Sequence, residues 1–413
     1  MASDTTGTKK IKRIKEQHQG IATILAFGLL PLSGFATDIY IPSLPNMAAT
    51  LHVSSIHVQL TLTIFLISYG VSQLFVGSLL DVFGRYRLGL VSMLIFAVAS
   101  VVIATTHDIY LIYGMRVIHG VTVGTIIVGK RAYFVDLFTG NKLKNYLTMF
   151  SIIWSTGPIV APFIGGYLQT AFGWESNFYL LSGLALVLAL LEFIFGGETL
   201  PQATTFQVRR IAGIYAGMLR TTTFTLGIFM LGLAYAMVMV YNMTGPFIIE
   251  HHLQLSAVTA GYSSLVLGFA WMAGGFISKA TINRPFFTKL TINSGLQVLF
   301  ALLMLVSIQF VDNLYSLLFF AFIIHACSGY TFNNYFTYCL SSFPANAGIA
   351  SGLTGGLMYI VVSVMSYGVV YLLPARDQHH LNASYLLLIG LSIFIMGLVL
   401  RLRRSTPGAV QPA

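Results

Sequence analysis

The sequence predicts an all-α polytopic membrane protein, and three observations carry that prediction. Of its 413 residues, 56% are hydrophobic and only 8% charged, with a mean hydropathy of +0.81. A soluble domain carries about 25% charged residues, so little of this chain is built to face water. The apolar residues gather into twelve runs, each near the ~20 residues that a helix needs to cross a bilayer. These runs begin near residues 21, 57, 87, 109, 145, 177, 223, 258, 289, 313, 347 and 383. The third observation is where the basic residues fall.

Lys9, Lys10, Lys12, Arg13 and Lys15 precede span one, and Arg85 and Arg87 follow span two. Lys130, Arg131, Lys142 and Lys144 lie between spans four and five; Arg209, Arg210 and Arg220 follow span six. Lys279, Arg284 and Lys289 separate spans eight and nine, and Arg401, Arg403 and Arg404 end span twelve. Twenty of the 22 thus share one side, leaving Arg376 opposite and Arg116 inside span four. By the positive-inside rule that side is cytoplasmic, with both termini on it. The net charge of +10 therefore reports topology, with a lipid bilayer as partner and no nucleic acid.

Loops are short except for 197–222, which carries Pro201, several threonines and three arginines. It divides the chain into a basic N-terminus (1–20), a six-helix bundle (21–196), a cytoplasmic linker (197–222), a second six-helix bundle (223–402) and a tail (403–413). A ligand site would then lie between the bundles near the midplane, open to each side in turn. The 39 glycines suit close helix contact. One weak internal repeat pairs Gly77-Ser-Leu-Leu-Asp81-Val-Phe-Gly84-Arg85 with Gly275-Phe-Ile-Ser-Lys279-Ala-Thr-Ile-Asn283, which lacks the acid and the second glycine. The basic N-terminus and long first run read as an uncleaved span rather than a signal peptide. The tail after Arg404 reads as disordered. Cys327 and Cys339 share one predicted helix, roughly 18 Å apart along its axis, too far for a disulfide.

Two charges lie where hydrocarbon should be: Asp38 in span one and Arg116 in span four. A charge at mid-bilayer depth costs roughly 2.5–3.5 kcal/mol on insertion scales, so such residues are rare and usually functional. Asp38 precedes Pro42 by one helical turn and Arg116 follows Tyr110 closely, which sets both roughly 6–9 Å below the same face. Burial favours the neutral acid, a neighbouring guanidinium favours the carboxylate, and Arg116 stays charged throughout. Asp38 is the expected proton carrier and Arg116 its electrostatic partner. A static buried pair locking spans one and four is the alternative, though such pairs add little stability.

Four motifs then carry a resemblance. Gly77-Ser-Leu-Leu-Asp81-Val-Phe-Gly84-Arg85-Tyr-Arg87, between spans two and three, resembles the G-x-L-x-D-x-x-G-R-x-R/K signature of the major facilitator superfamily. Its physical reading is a tight cytoplasmic turn. Gly77 would permit close helix contact, Gly84 a left-handed backbone, and Asp81 would face the positive end of a neighbouring helix. Arg116-Val-Ile-His119-Gly120 resembles the superfamily's R-x-x-Q-G, with His119 for Gln. That leaves open whether His119 joins the proton path or only hydrogen-bonds. Gly157-Pro158-Ile-Val-Ala161-Pro162-Phe-Ile-Gly165-Gly166 in span five resembles the antiporter motif G-x-x-x-G-P-x-x-G-G, read as either a contact that rocks or a static groove. Thr37-Asp38-Ile-Tyr40-Ile-Pro42-Ser-Leu44-Pro45-Asn-Met47 is similar to a segment of Bcr/CflA-type drug:proton antiporters, and Arg131, Asp136 and Gly173-Trp174 fit that pattern. The resemblance covers mainly residues 30–180. It implies the twelve-helix major facilitator fold, with Asp81, Arg85 and Asp136 latching the bundles on the cytoplasmic rim when the cavity opens outward.

Candidate cavity residues are the polar and aromatic side chains within spans: Tyr40, Gln59, Tyr69, Gln73, Tyr235, Asn242, Trp271, His325, Asn333, Asn334, Tyr338 and Tyr359. Each taken singly fits a helix–helix hydrogen bond as well as a ligand contact. Asn333 and Asn334 beside Tyr338 suggest a rather polar cavity. Met230, Met237, Met239 and Met243 offer an adaptable wall, although lipid-facing methionine is commoner. Glu192 is a secondary titratable candidate. His251-His252 and His379-His380 read as solvated, with no metal site.

These features predict a proton-coupled secondary transporter that exports a small molecule across the bacterial inner membrane. It is not an enzyme, acts as a monomer, and uses no cofactor beyond the proton as coupling ion. A drug-like substrate leads; a siderophore or other polar metabolite is the nearest alternative. A non-transporting receptor or scaffold on the same fold is the reading from another class.

Overall fold

The computed structural model describes residues 12–200, 202, 208–343, 346–374 and 377–405. Among them are twelve helices long and apolar enough to cross a membrane. Spans one to six are Glu16–Thr50, Ser55–Phe83, Arg85–Thr105, Ile109–Leu137, Gly140–Phe172 and Glu175–Phe195. Spans seven to twelve are Thr222–His252, Ala257–Ala280, Phe286–Ser307, Leu314–Ser341, Gly348–Leu372 and Gln378–Leu402. A further helix, Val208–Leu219, lies between the sixth and seventh. Lys9, Lys10, Arg376 and the tail from 406 fall outside the described residues, and span twelve stays helical to Ser405.

Span one departs most from its apolar run, which stops at Ile41. Helix Gln19–Gly28 gives way to Leu32–Asp38, then to a tight turn Ile41–Ser43 and a last piece Leu44–Thr50. Pro31, Pro42 and Pro45 have no N–H to donate, so each is placed where a new piece begins. Asp38 ends the second piece, at a break in the backbone. Span five, by contrast, keeps Pro158 and Pro162 inside one helix.

Each half is held together by glycine-mediated approach of alternate spans. Spans two and four meet where a Cβ on Gly120 would come 2.6 Å from the Phe65 carbonyl oxygen. In the second half, Gly274 and Gly329 bring spans eight and ten together in the same way, Gly329 lying on the Trp271 carbonyl. Methionines 230, 237, 239 and 243 of span seven are all buried rather than lipid-facing.

The halves meet along two further pairs, span two with eleven and span five with eight. A Cβ on Gly70 would lie 2.6 Å from the Gly356 oxygen, and one on Gly166 would lie 2.7 Å from the Ala257 oxygen. Span five presents its other face to span one. There Gly157 abuts Pro31, and Gly165 packs on the carbonyl of Ile39, the residue after Asp38. Ala161 is fully buried between these contacts. The proline–glycine motif therefore makes span five a wedge between the Asp38 segment and the opposite half.

Gly165→Ala places a carbon against the Ile39 backbone, which cannot swing aside. It should lower the melting temperature of the purified protein, overpacking of this kind costing about 1–3 kcal/mol. Gly183→Ala, with open space at its Cβ position, should leave that temperature unchanged.

Candidate functional site

Asp108 caps span four, its carboxylate accepting from the Tyr110 N–H at 2.9 Å, and so fixes Arg116 two turns inside the bundle. Arg116 is fully buried. Its Nη1 donates to the Ala36 carbonyl at 2.9 Å and its Nε to the Thr61 carbonyl at 3.3 Å. The guanidinium also lies over the rings of Phe65 and Tyr40, at 4.4 and 4.9 Å from their centroids. Carbonyl dipoles and π faces thus disperse a charge that hydrocarbon would not accept.

His119 completes this shell. Its Nδ1 lies 3.3 Å from Arg116 Nη1 and its Nε2 lies 3.1 Å from Ser100 Oγ. A guanidinium can only donate, so Nδ1 must be the accepting nitrogen and Nε2 must carry the hydrogen. Nε2 then donates to Ser100, which passes its own hydrogen to the Phe96 carbonyl at 2.9 Å. One acceptor and one donor at this spacing is what a glutamine would offer. His119 therefore helps to hold Arg116 in place.

Asp38 is 1% exposed. Among the described residues it and Arg116 form no ion pair, so the static pair locking spans one and four is not what is seen, and any partnership is electrostatic. Arg116 binds the carbonyl two residues earlier and acts on the carboxylate as a nearby charge in a low-dielectric interior. The partner of Asp38 is Asn242 of span seven, whose Nδ2 donates to Oδ1 at 3.2 Å. This bond crosses between the halves. Gln59 makes a second crossing, donating to the Met243 carbonyl at 2.8 Å. Asp38 Oδ2 is buried with no hydrogen-bond partner.

The predicted cavity residues fall into three places. Tyr69, Tyr235, Trp271 and Tyr359 form an aromatic chain across the interface. Tyr69 meets Tyr359 at 4.8 Å, Tyr359 meets Tyr235 at 6.2 Å, and Tyr235 meets Trp271 at 5.6 Å. Tyr235 and Tyr359 lie within electrostatic reach of Asp38, and Gln73 abuts Gly355 of span eleven nearby. Tyr40 belongs to the Arg116 shell instead, its hydroxyl 2.8 Å from Thr61 Oγ1. His325 is a core residue of the second half, 3.1 Å from the Tyr385 hydroxyl. Asn333, Asn334 and Tyr338 line a separate pocket at the face that bears the lysines and arginines. The polarity that the sequence assigned to the central cavity belongs there.

At that basic face, Arg85 pairs with Asp136 and, at 2.9 Å, with Asp81. Thr199 donates to the same Asp136 at 3.0 Å. Three expectations need correction. A Cβ on Gly77 would meet open space, so this glycine mediates no helix contact. Asp81 pairs with Arg85 instead of capping a helix. The cap comes from Glu198, whose carboxylate accepts from the backbone N–H of Arg85 and Tyr86 at 3.1 and 3.2 Å, the first donors of span three. Gly84 does adopt the positive φ expected of it, +92°, and its missing Cβ admits the Glu198 carboxylate. The whole cluster lies in the first half and the start of the linker, so here it does not latch the halves. On this face they meet through Arg131 and Ser351, at 2.6 Å, while the linker helix is tied to span two by the Tyr215 hydroxyl donating to the Leu74 carbonyl.

Glu192 forms a buried ion pair with Lys130 at 2.6 Å, joining spans six and four away from Asp38. The sequence reading missed Glu198. Its signal was available: it is the sole acid in 197–222, and the helix opening after Gly84 has no capping side chain of its own.

Comparison with known proteins gives consistent results. The sequence model of the Major Facilitator Superfamily matches residues 26–366. The chain is 27% identical to "Multidrug resistance protein D" of Escherichia coli, over 96% of this chain and 99% of that one. It is likewise 27% identical to "Multidrug resistance protein MdtL" of Shewanella oneidensis, over 80% and 84% respectively. Among solved structures, the nucleoside transporter NupG superposes with a TM-score of 0.69 at 15% identity, covering 93% of this chain and 99% of that one. A D-xylose-proton symporter gives 0.67 at 15%, covering 92% and 96%.

His119→Gln should keep the melting temperature near wild type, since an amide can accept from Arg116 and donate to Ser100. His119→Leu strands a buried charged donor and should destabilise the purified protein by about 1–3 kcal/mol; equal melting temperatures for the two variants would contradict this role. At the rim, Gly84→Ala should lower stability by about 1–3 kcal/mol, whereas Gly77→Ala, examined in the same unfolding assay, should not.

Proposed function

We propose, for a chain that belongs to the Major Facilitator Superfamily, that it is a proton-coupled exporter in which Asp38 carries the proton. The observation that supports this is the bond from Asn242 to Asp38, made across the two halves at 3.2 Å. An amide donates more strongly to a carboxylate than to a neutral acid. Ionised Asp38 therefore draws span seven to span one, and protonation loosens that contact. Oδ2, buried without a partner, is the atom free to take a proton or to face a cationic substrate. The two compete for one negative charge, and that exclusion is the physical basis of antiport. Alternating access follows when the far-face contacts of Asp38 and Gln59 and the span two–eleven contacts loosen in turn.

The substrate class we infer is a drug-like, aromatic or cationic molecule, because the interface next to Asp38 is lined by Tyr69, Tyr235, Trp271 and Tyr359. Cations are attracted to such faces. The relatives named as multidrug resistance proteins agree with that choice. The asparagines that favoured a polar metabolite lie outside this region. The basic face is cytoplasmic in this reading, the membrane is the bacterial inner membrane, and the protein works as a monomer.

The test uses proteoliposomes with an imposed pH gradient, lipophilic cationic dyes as probes and carboxylate metabolites as the contrasting set. Gradient-driven dye movement should fall at least about tenfold in Asp38→Asn, the loss of a step worth 1.4 kcal/mol or more. Dye movement that stays coupled to the gradient in Asp38→Asn would sink the assignment.

A further inference from the structure

The weak repeat between the halves places Lys279 where the first half has Asp81. In that half, the space between spans two, three and four at the basic face is filled by Arg85 with its two aspartates. The corresponding space in the second half, between spans eight, nine and ten, is built from the opposite charge. No acidic residue occurs in the sequence between Glu250 and Asp312. Among the described residues, neither Lys279 nor Lys289 forms an ion pair; Lys289 Nζ reaches only the Thr281 carbonyl, at 3.4 Å.

A cavity of about 230 Å³ opens at this position, lined by Lys279, Lys289, Asn333, Asn334, Thr337 and Ser341. Drug-sized ligands take pockets of about 300–1,000 Å³, so this one suits a small group. Two ammonium ions supply the point charges; Asn333 and Asn334 each give one amide hydrogen to a carbonyl of their own helix at 2.8 Å and keep the other for a ligand, while the Thr337 and Ser341 hydroxyls donate to the Asn333 and Tyr338 carbonyls. Ile282, on the pocket wall, is 60% exposed and offers an apolar edge toward the bilayer. We propose that the pocket holds a net-negative phosphate group, delivered by an anionic phospholipid headgroup or by phosphate in solution. The bound anion gives spans eight, nine and ten the charge balance that Asp81 and Asp136 give the first half. Basic pockets between membrane helices recognise lipid headgroups through the same chemistry.

The test titrates full-length protein, purified in neutral detergent, with phosphatidylglycerol, phosphatidylcholine or inorganic phosphate. Binding is followed by native mass spectrometry and by the rise in melting temperature. In the double variant Lys279→Gln/Lys289→Gln, affinity for phosphatidylglycerol should weaken roughly ten- to thirty-fold. Lys279→Arg/Lys289→Arg should retain it. Lysine-dependent stabilisation by inorganic phosphate alone assigns the site to a soluble anion, and its restriction to phosphatidylglycerol assigns it to lipid. Equal binding by wild type and the glutamine variant, or binding of phosphatidylcholine as tight as of phosphatidylglycerol, overturns the proposal. Should the double variant not elute as a single species, the exposed Lys279→Gln change carries the comparison alone, with a several-fold loss expected.

Discussion

The hydrogen bond between Asn242 and Asp38 is the constraint on which the rest of this molecule turns. It is the point where one oxygen of a buried acid in one half is met by an amide of the other half. A carboxylate placed here costs several kcal/mol unless something polar meets it. The bundle meets that cost with an amide from span seven and the field of a guanidinium held close by. Because the amide belongs to the opposite half, the electrostatic state of one residue becomes a statement about how two bundles sit against each other.

Arg116 is what makes this arrangement tolerable. A direct ion pair would have neutralised Asp38 within its own half and left span seven without a role. Instead Nε and Nη1 of the guanidinium are engaged by the carbonyls of Ala36 and Thr61 and by His119, with two aromatic faces over the group, while Nη2 has no hydrogen-bond partner among the described residues. Its charge is felt at Asp38 without being spent there. The break in span one serves the same end, since a residue at the end of a helical piece can point where an uninterrupted helix would not allow.

Much of this was legible in the chain. The spans could be read because hydrocarbon imposes a length, and the buried charges because hydrocarbon makes them conspicuous. The end of span one was not, because prolines that look like a stop become the first turn of a new piece. The partner of Asp38 was equally hidden. Asn242 stood in the candidate list as one polar residue among twelve, and only packing of span one on span seven gives it a carboxylate. Local motif reading failed at the basic rim for a related reason. Glu198 caps a helix that begins more than a hundred residues earlier, and no spacing rule links the two.

Span five touches span one and span eight largely through glycine and backbone, with Ile159 on Gly268 and the rings of Phe163 and Tyr167 against Tyr262 as the side-chain exceptions. Side chains can change rotamer to absorb a displacement, but a seam of bare backbone has no such slack. Added volume is therefore poorly tolerated where glycine meets backbone along this helix, more so than at the aromatic chain beside Asp38. A slender apolar molecule that entered the seam would act as a doorstop, arresting the machine without ever resembling its cargo.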